Sequence, residues 1–243
     1  MIDFLGQCIL NFITAVKYMF DGRVKFSSVI TNAASIGYDS LPIALSIVFI
    51  AAIVISLQIS KQFLLSGGES YVGGFMAIAL IRELAPGFAA LAISARAGTA
   101  ISAEIANMKV TEQVDAMKTL KVNPVGYYFA PRILAASITI PAIVLLAELF
   151  GIIGGMFVSY LTIGLHPARY MTSVWLLINL KDIFVSILKG FLFGIIITTV
   201  CATQGYNTEG GAKNVGIATT EAAIKSTVFL LTVDLIIALL FYF

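Results

Sequence analysis

The sequence has few charged residues for its length. Asp, Glu, Lys and Arg make up 12% of its 243 residues, whereas they make up about 25% of a soluble domain. Hydrophobic residues account for 59%, and the mean hydropathy is +0.99. This composition excludes an ordinary soluble domain and indicates an integral membrane protein. The formal net charge of only +2 argues against a basic surface that binds nucleic acid.

Residues that bind metals or carry redox chemistry are equally scarce. Cys8 and Cys201 are the two cysteines, and each lies in an apolar segment without the spacing of metal ligands. We interpret both as small core residues. His166 is the single histidine, so a histidine-based metal cluster cannot form. We therefore expect neither a metal site nor a cofactor bound by this chain.

The sequence also lacks a phosphate-binding P-loop, which requires G-x-x-x-x-G-K-[ST] after a strand. The nearest approach is the stretch 205–213, which has the wrong spacing and no predicted strand before it. We interpret this stretch as a glycine-rich turn, and we predict no catalytic residue. If the protein uses ATP, a separate subunit must bind the ATP and Mg²⁺.

Five apolar stretches are long enough to cross a bilayer, which takes about 20 helical residues. We predict an all-α membrane protein in which Pro42 lies in the first turn of the first span. We expect residues 26–243 to form one domain. The five predicted spans cover residues 41–60, 74–103, 133–161, 183–203 and 226–243.

The N-terminal segment 1–25 is predicted to be an amphipathic helix in the membrane interface. Its polar residues recur three or four positions apart and so fall on one stripe of a helix. A sixth span is the alternative. The polar stripe consists of Asp3, Gln7, Asn11, Thr14, Lys17 and Asp21.

Basic residues near the predicted span ends are distributed unevenly, which indicates the orientation of the chain. Nine lie on one predicted side and three, Lys61, Arg169 and Lys181, on the other. This distribution predicts a cytoplasmic N-terminus and, after five spans, a C-terminus on the far side. The nine residues are Lys17, Arg23, Lys25, Lys109, Lys118, Lys121, Arg132, Lys213 and Lys225.

A short helix is predicted at residues 111–121, in the connection between the second and third spans. Thr111 suits its N-cap, and acidic and basic residues suit its first and last turns. Its apolar residues fall on one narrow face, which favours docking of a partner protein. An ordinary surface helix is the alternative. The apolar face consists of Val110, Val114, Met117 and Leu120, and the acids are Glu112 and Asp115.

Charged residues inside the predicted spans mark a cavity, an ion pair or a pathway, because an isolated charge in a bilayer is costly. Arg82 and Glu83 are interpreted either as facing a polar cavity or as paired with neighbouring helices. Lys189 and Asp234 lie at similar depths of ~10 and ~13 Å in consecutive spans, which predicts a structural salt bridge. Glu148 lies in the middle of a span, and we assign it no role from the sequence.

Seven short motifs follow one another along the chain. They are Ile-Arg-Glu-Leu-Ala-Pro at 81–86, Ser-Ala-Arg-Ala-Gly at 94–98, Ala-Glu-Ile at 103–105, Glu-Gln-Val-Asp-Ala at 112–116, Asn-Pro at 123–124, Pro-Arg at 131–132 and Ala-Thr-Thr at 218–220. In this order they resemble the core of the MlaE/YrbE family, the permease subunits of Mce-associated ABC transporters that move lipids. The resemblance runs from about residue 26 to the C-terminus.

The resemblance implies a homodimer in the bacterial inner membrane, with a periplasmic C-terminus. The helix at 111–121 would be the coupling helix that docks on a cytoplasmic ABC ATPase. A periplasmic Mce-domain protein and a small STAS-domain subunit are further implied partners. Arg82 and Glu83 would border a lipid cavity at the dimer interface, together with the first span. Leu80, Leu84, Ile47 and Ile50 are the apolar residues we assign to its walls.

The sequence therefore predicts the permease subunit of an ATP-driven lipid transporter. One alternative is a proton-coupled secondary transporter that uses Glu83, Glu148 or Asp234. Such a transporter would be expected to show an internal repeat or broken helices, and the sequence indicates neither. The other alternative is a membrane scaffold without transport, which would not require so many charged residues within spans.

Overall fold

The computed structural model of the protein describes residues 2–242, and every regular element in that range is helical. The predicted all-α fold is therefore confirmed. The α-helices are α1 (Ile2–Phe20), α2 (Phe26–Ser66), α3 (Val72–Ala79), α4 (Ala85–Ile93), α5 (Thr99–Val110), α6 (Gln113–Thr119), α7 (Pro124–Ile163), α8 (Pro167–Leu177), α9 (Leu180–Tyr206) and α10 (Ala212–Tyr242).

Five helical segments are long and apolar enough to cross a membrane, as predicted, but they are longer than the predicted spans. Three of them have 40 residues or more, which corresponds to ~60 Å of helix against a hydrocarbon core ~30 Å thick. The prediction followed only the apolar runs, whereas the helices continue into their polar flanks. The segments are Phe26–Ser66, Glu69–Val110, Pro124–Ile163, Leu180–Tyr206 and Ala212–Tyr242.

The predicted start of the first span was wrong. Helix α2 begins at Phe26, and Pro42 lies inside it rather than in its first turn. The residues before Pro42 are more polar, but Thr31 Oγ1 and Asn32 Nδ2 donate hydrogen bonds to carbonyls one turn back. These side chains are thus satisfied within the helix, so their polarity does not end it.

Helix α8 was not predicted, because the sequence pattern indicated only a connection between the third and fourth spans. The helix nevertheless starts with a clear local signal. The His166 side chain accepts a hydrogen bond from the Ala168 amide, and Pro167 occupies the first turn. Gly164, at φ +66°, follows the end of α7.

The chain folds into two compact units, each assembled from separate stretches of the sequence. The first comprises the residues up to Ser40, Ile93–Ile140 and Phe191–Val233. The second comprises Leu41–Ala92, Pro141–Gly190 and the residues from Asp234 onward.

In the first unit, helix α1 packs through small and polar side chains and leaves large apolar ones exposed. Cys8 and Ala15 are buried, and Asn11 Nδ2 donates a hydrogen bond to Thr203 Oγ1 at 3.1 Å. Ile2, Leu10 and Phe20 are exposed. Part of the predicted polar stripe therefore faces protein. The exposed apolar side chains are those expected of a helix in contact with lipid.

In the second unit, helix α3 packs closely against α8 through two adjacent glycines. The Gly74 amide donates a hydrogen bond to Ser173 Oγ at 3.0 Å. A Cβ at Gly73 would lie 2.4 Å from the Tyr170 carbonyl oxygen, and one at Gly74 would lie 2.5 Å from the Ser173 carbonyl oxygen. Any side chain at these positions must therefore push the two helices apart.

We predict that Gly74→Ala lowers the thermal stability of the protein in detergent. The new methyl group meets backbone that cannot rotate away, and overpacking of this kind costs about 1–3 kcal/mol. Gly87→Ala is the matched control, because a Cβ at Gly87 meets no atom within 4 Å. Equal melting temperatures for Gly74→Ala and the wild type would contradict the packing described.

Candidate functional site

Arg82 and Glu83 lie in a π-helical turn, Leu80–Leu84, within the second membrane segment. A π-turn adds one residue to the helical repeat, and such turns often occur at functional sites. The inserted residue changes the directions in which these two side chains leave the helix. The Arg82 carbonyl oxygen accepts a hydrogen bond from Lys189 Nζ at 2.7 Å.

Lys189 is completely buried, and its ammonium group contacts three oxygens. Besides the Arg82 carbonyl, it donates to Glu83 Oε2 at 2.8 Å and lies 2.7 Å from Asp234 Oδ1. The last contact is an ion pair whose alignment falls outside hydrogen-bond geometry. The structure thus brings the predicted partners Lys189 and Asp234 together and adds Glu83, which the sequence did not indicate.

Arg82 is held by a separate set of groups. Its Nε donates to Asp182 Oδ1 at 2.8 Å, and the guanidinium lies 4.4 Å from the centre of the Tyr242 ring. Asp182 is itself buried, and its second oxygen accepts a hydrogen bond from the Asn179 amide at 3.0 Å. The Arg82 side chain remains 31% exposed. Its orientation is fixed, while part of its surface stays accessible.

Sequence reasoning missed Asp182 and Tyr242. Asp182 lies in the first turn of α9, where an acidic residue is explained by the helix dipole alone, so it gave no separate signal. Tyr242 is distant from Arg82 in the sequence. Only the fold brings both to Arg82.

The predicted apolar wall residues differ in their exposure. Ile47 and Ile50 are 38% and 59% exposed, and Leu84 is half-buried. Leu80 is fully buried and packs so closely on Gly151 that a Cβ there would lie 2.6 Å from Leu80 Cδ2. Leu80 therefore supports the π-turn from inside the second unit and does not face an open surface.

The predicted coupling segment folds as a shorter helix, α6 (Gln113–Thr119), in the first unit. Thr111 is not its N-cap, because Thr111 Oγ1 donates to the Asn107 carbonyl and ends α5 instead. Glu112 precedes α6 in the left-handed conformation at φ 61°. Val114 is fully buried, whereas Leu120 is 74% exposed.

Asp115 joins α6 to the end of α5. It accepts contacts from Lys118 Nζ at 2.8 Å and from Lys109 Nζ at 3.0 Å. The hydrogen bond from Lys118, and then that from Lys109, lowers the pKa of Asp115 below its ordinary value. The carboxylate is therefore charged at neutral pH, and acid that protonates it weakens both contacts. Met117, another apolar residue predicted to dock on the partner ATPase, is half-buried.

We predict that Lys189→Met destabilises the protein more than Asp234→Asn does. The first change leaves the Glu83 and Asp234 carboxylates without their cation, and breaking a buried pair in this way costs about 3–5 kcal/mol. The second change leaves Lys189 bonded to Glu83 and to the Arg82 carbonyl. Chemical unfolding in detergent measures both effects.

The double variant Lys189→Met/Asp234→Asn tests the pairing itself. Because it removes both members of the ion pair, its loss of stability should be smaller than the sum of the two single losses. Strict additivity would mean that the two side chains do not interact.

The comparisons with known proteins agree with this architecture. Residues 29–240 match the protein family described as Permease MlaE. A probable ABC transporter permease protein of Rickettsia felis is 34% identical over 238 residues, covering 98% of this chain and 92% of the relative. A probable ABC transporter permease protein of Synechocystis is 33% identical over 209 residues, covering 86% and 80%. The protein TRIGALACTOSYLDIACYLGLYCEROL 1, chloroplastic, of Arabidopsis thaliana is 28% identical, covering 98% and 66%.

The described residues form five candidate membrane segments with a buried charged network between their helices. These features agree with the matches above, which extend over most of the chain. The chain belongs to the MlaE permease family, as its motifs indicated, and is a permease of the ABC transporter type. A permease of this type works with an ATPase.

Proposed function

We propose that the protein is the transmembrane subunit of an ATP-driven phospholipid transporter. It would act between the bacterial inner membrane and a periplasmic Mce-domain partner. The observation that carries the proposal is a partly exposed arginine, Arg82, which the buried carboxylate of Asp182 orients inside a membrane segment of this MlaE-family chain. The Arabidopsis relative, whose name is that of a galactolipid, supports a lipid as the substrate class.

The proposed lipid site combines charged and apolar surface. Arg82 and Glu83 are 31% and 44% exposed at their side chains, and Ile47 and Ile50 are exposed apolar residues of the same unit. A guanidinium suits the two oxygens of a phosphate. Asp182 balances part of the charge of Arg82, so a phosphate would share the guanidinium with that carboxylate.

The proposed assembly follows from the ABC permease class. Two copies of the chain would form the membrane part, with each α6 docked on a cytoplasmic ATPase that binds ATP and Mg²⁺. The exposed Leu120 beside α6 is an apolar group that such an ATPase could cover. A STAS-domain subunit would complete the cytoplasmic side. The distribution of basic residues supports a cytoplasmic N-terminus and a periplasmic C-terminus.

We predict that Arg82→Gln lowers the amount of phospholipid that copurifies with the transporter complex. Losing a charged hydrogen bond to phosphate, worth about 1.5–3 kcal/mol, should weaken binding about tenfold or more. Arg82→Lys should have a smaller effect, because it keeps the charge but loses the planar fork. Mass spectrometry of lipid per purified complex measures the change.

Arg96→Gln is the matched control for this experiment. Arg96 lies in the second π-turn, Ser94–Gly98, pairs with Asp39 at 2.7 Å and is 35% exposed at its side chain. Like Arg82, Arg96 lies in a π-turn, pairs with an acidic residue and is partly exposed. It lies in the other unit, so its replacement should leave lipid occupancy unchanged. Equal occupancy in the Arg82→Gln complex and in the wild type would remove Arg82 from the lipid site.

We predict that Leu120→Asp abolishes binding of the ATPase while the chain still inserts and folds. The carboxylate would enter an apolar contact without a hydrogen-bonding partner. Ala212→Asp is the control, since Ala212 is also exposed and begins another helix, α10. Pull-down of the ATPase by the tagged permease gives the readout. Full recovery of the ATPase with Leu120→Asp would show that docking does not use this residue.

A further inference from the structure

The second unit contains an apolar cavity that the proposed function does not use. Its volume is 420 Å³, and it lies among the π-turn Leu80–Leu84, α7, α8 and the start of α9. Glu148 is the one charged residue in its lining. The apolar lining includes Leu145, Leu149, Ile153, Met156, Met171 and Trp175.

The dimensions of the cavity suit a single hydrocarbon chain. Its wall on α7 runs from Leu145 to Met156, which is ~16 Å along the helix, or about half of a ~30 Å hydrocarbon core. Spread over that length, 420 Å³ gives a channel about 6 Å across, enough for one polymethylene chain at carbon–carbon contacts of about 4 Å.

The surroundings of the cavity also indicate a membrane lipid. Glu148 is the only Asp, Glu, Lys or Arg between positions 133 and 168. The part of α7 that lines the cavity therefore belongs to a stretch apolar enough for the bilayer interior. Ile153 is 54% exposed and Trp175 is 74% exposed, so the cavity is open at its side. Exposed tryptophan is typical of the membrane–water interface.

Glu148 belongs to the wall and not to the open space. It is only 4% exposed, and the Ser186 hydroxyl donates a hydrogen bond to its Oε1. This bond joins α7 to α9 beside the cavity. Glu148 thereby gains the partner that the sequence did not reveal, and the surface left for a ligand is almost entirely hydrocarbon.

We infer that this cavity binds one acyl chain of a bilayer phospholipid, which enters sideways from the membrane. The lining includes Ile81, which precedes Arg82 in the π-turn, but not Arg82 itself. Lipid binding in the cavity does not require that the protein transport lipid. A negative result for acyl-chain binding in the cavity therefore does not contradict the proposed transport function, and the reverse also holds.

Photolabelling of the full-length protein tests the inference. The chain is reconstituted into phosphatidylcholine vesicles that contain a phosphatidylcholine with a diazirine on one acyl chain, irradiated, digested and mapped by mass spectrometry. The expected adducts lie on residues 145–156 and 171–178, and their yield saturates as the mole fraction of probe rises. Lipid that merely surrounds the protein labels in proportion to the probe.

Ile153→Trp should fill the mouth of the cavity and cause loss of the saturable labelling. Ile138→Trp is the matched control, since Ile138 lies on the same helix, is 69% exposed and is not part of the cavity lining. The control should label like the wild type. If Ile153→Trp proves unstable in a melting assay, Leu149→Trp replaces it at a second position of the lining.

Two results would overturn the inference. Labelling of the wild type that never saturates, or that spreads evenly over exposed apolar residues, would mean that no site exists. Saturable labelling that persists in folded Ile153→Trp would place the bound chain elsewhere.

Discussion

The ammonium group of Lys189 is the constraint on which the rest of the charged site depends. A charge that is completely buried in a membrane segment is tolerated only when its hydrogen bonds and its counter-charges are supplied. Here the Arg82 carbonyl and the Glu83 carboxylate accept hydrogen bonds, and Asp234 supplies a second counter-charge. They come from the π-turn and from α10, so one side chain of α9 fixes three elements of the second unit.

This constraint explains why the π-turn and the exposed face of Arg82 occur together. Lys189 Nζ donates a hydrogen bond to the Arg82 carbonyl in the π-turn, and Asp182 orients the Arg82 guanidinium. A network of buried acids and bases is thereby arranged to leave Arg82 and Glu83 partly accessible.

Much of the fold could be predicted, because hydropathy and length alone indicate five spans. The helix ends could not, since polar side chains such as Thr31 and Asn32 are satisfied inside α2 and give no stop signal. Similar depth on consecutive spans was enough to pair Lys189 with Asp234. It was not enough to find Glu83, because a π-turn, which turns that side chain toward Lys189, leaves no trace in hydrophobic periodicity. The hydrogen-bond partner of Glu148, Ser186, could be identified only from the tertiary structure.

Under the proposed function, this permease moves phospholipid at the expense of ATP. The most direct measurement reconstitutes the chain with an ATPase and the proposed periplasmic partner in vesicles that contain a fluorescent phospholipid. Transfer of that lipid between the membrane and the partner is then followed with ATP, without ATP and with a non-hydrolysable analogue. We expect lipid transfer only when ATP is present and hydrolysed. Robust ATP hydrolysis by the assembled complex with no movement of phospholipid in either direction would contradict the claim.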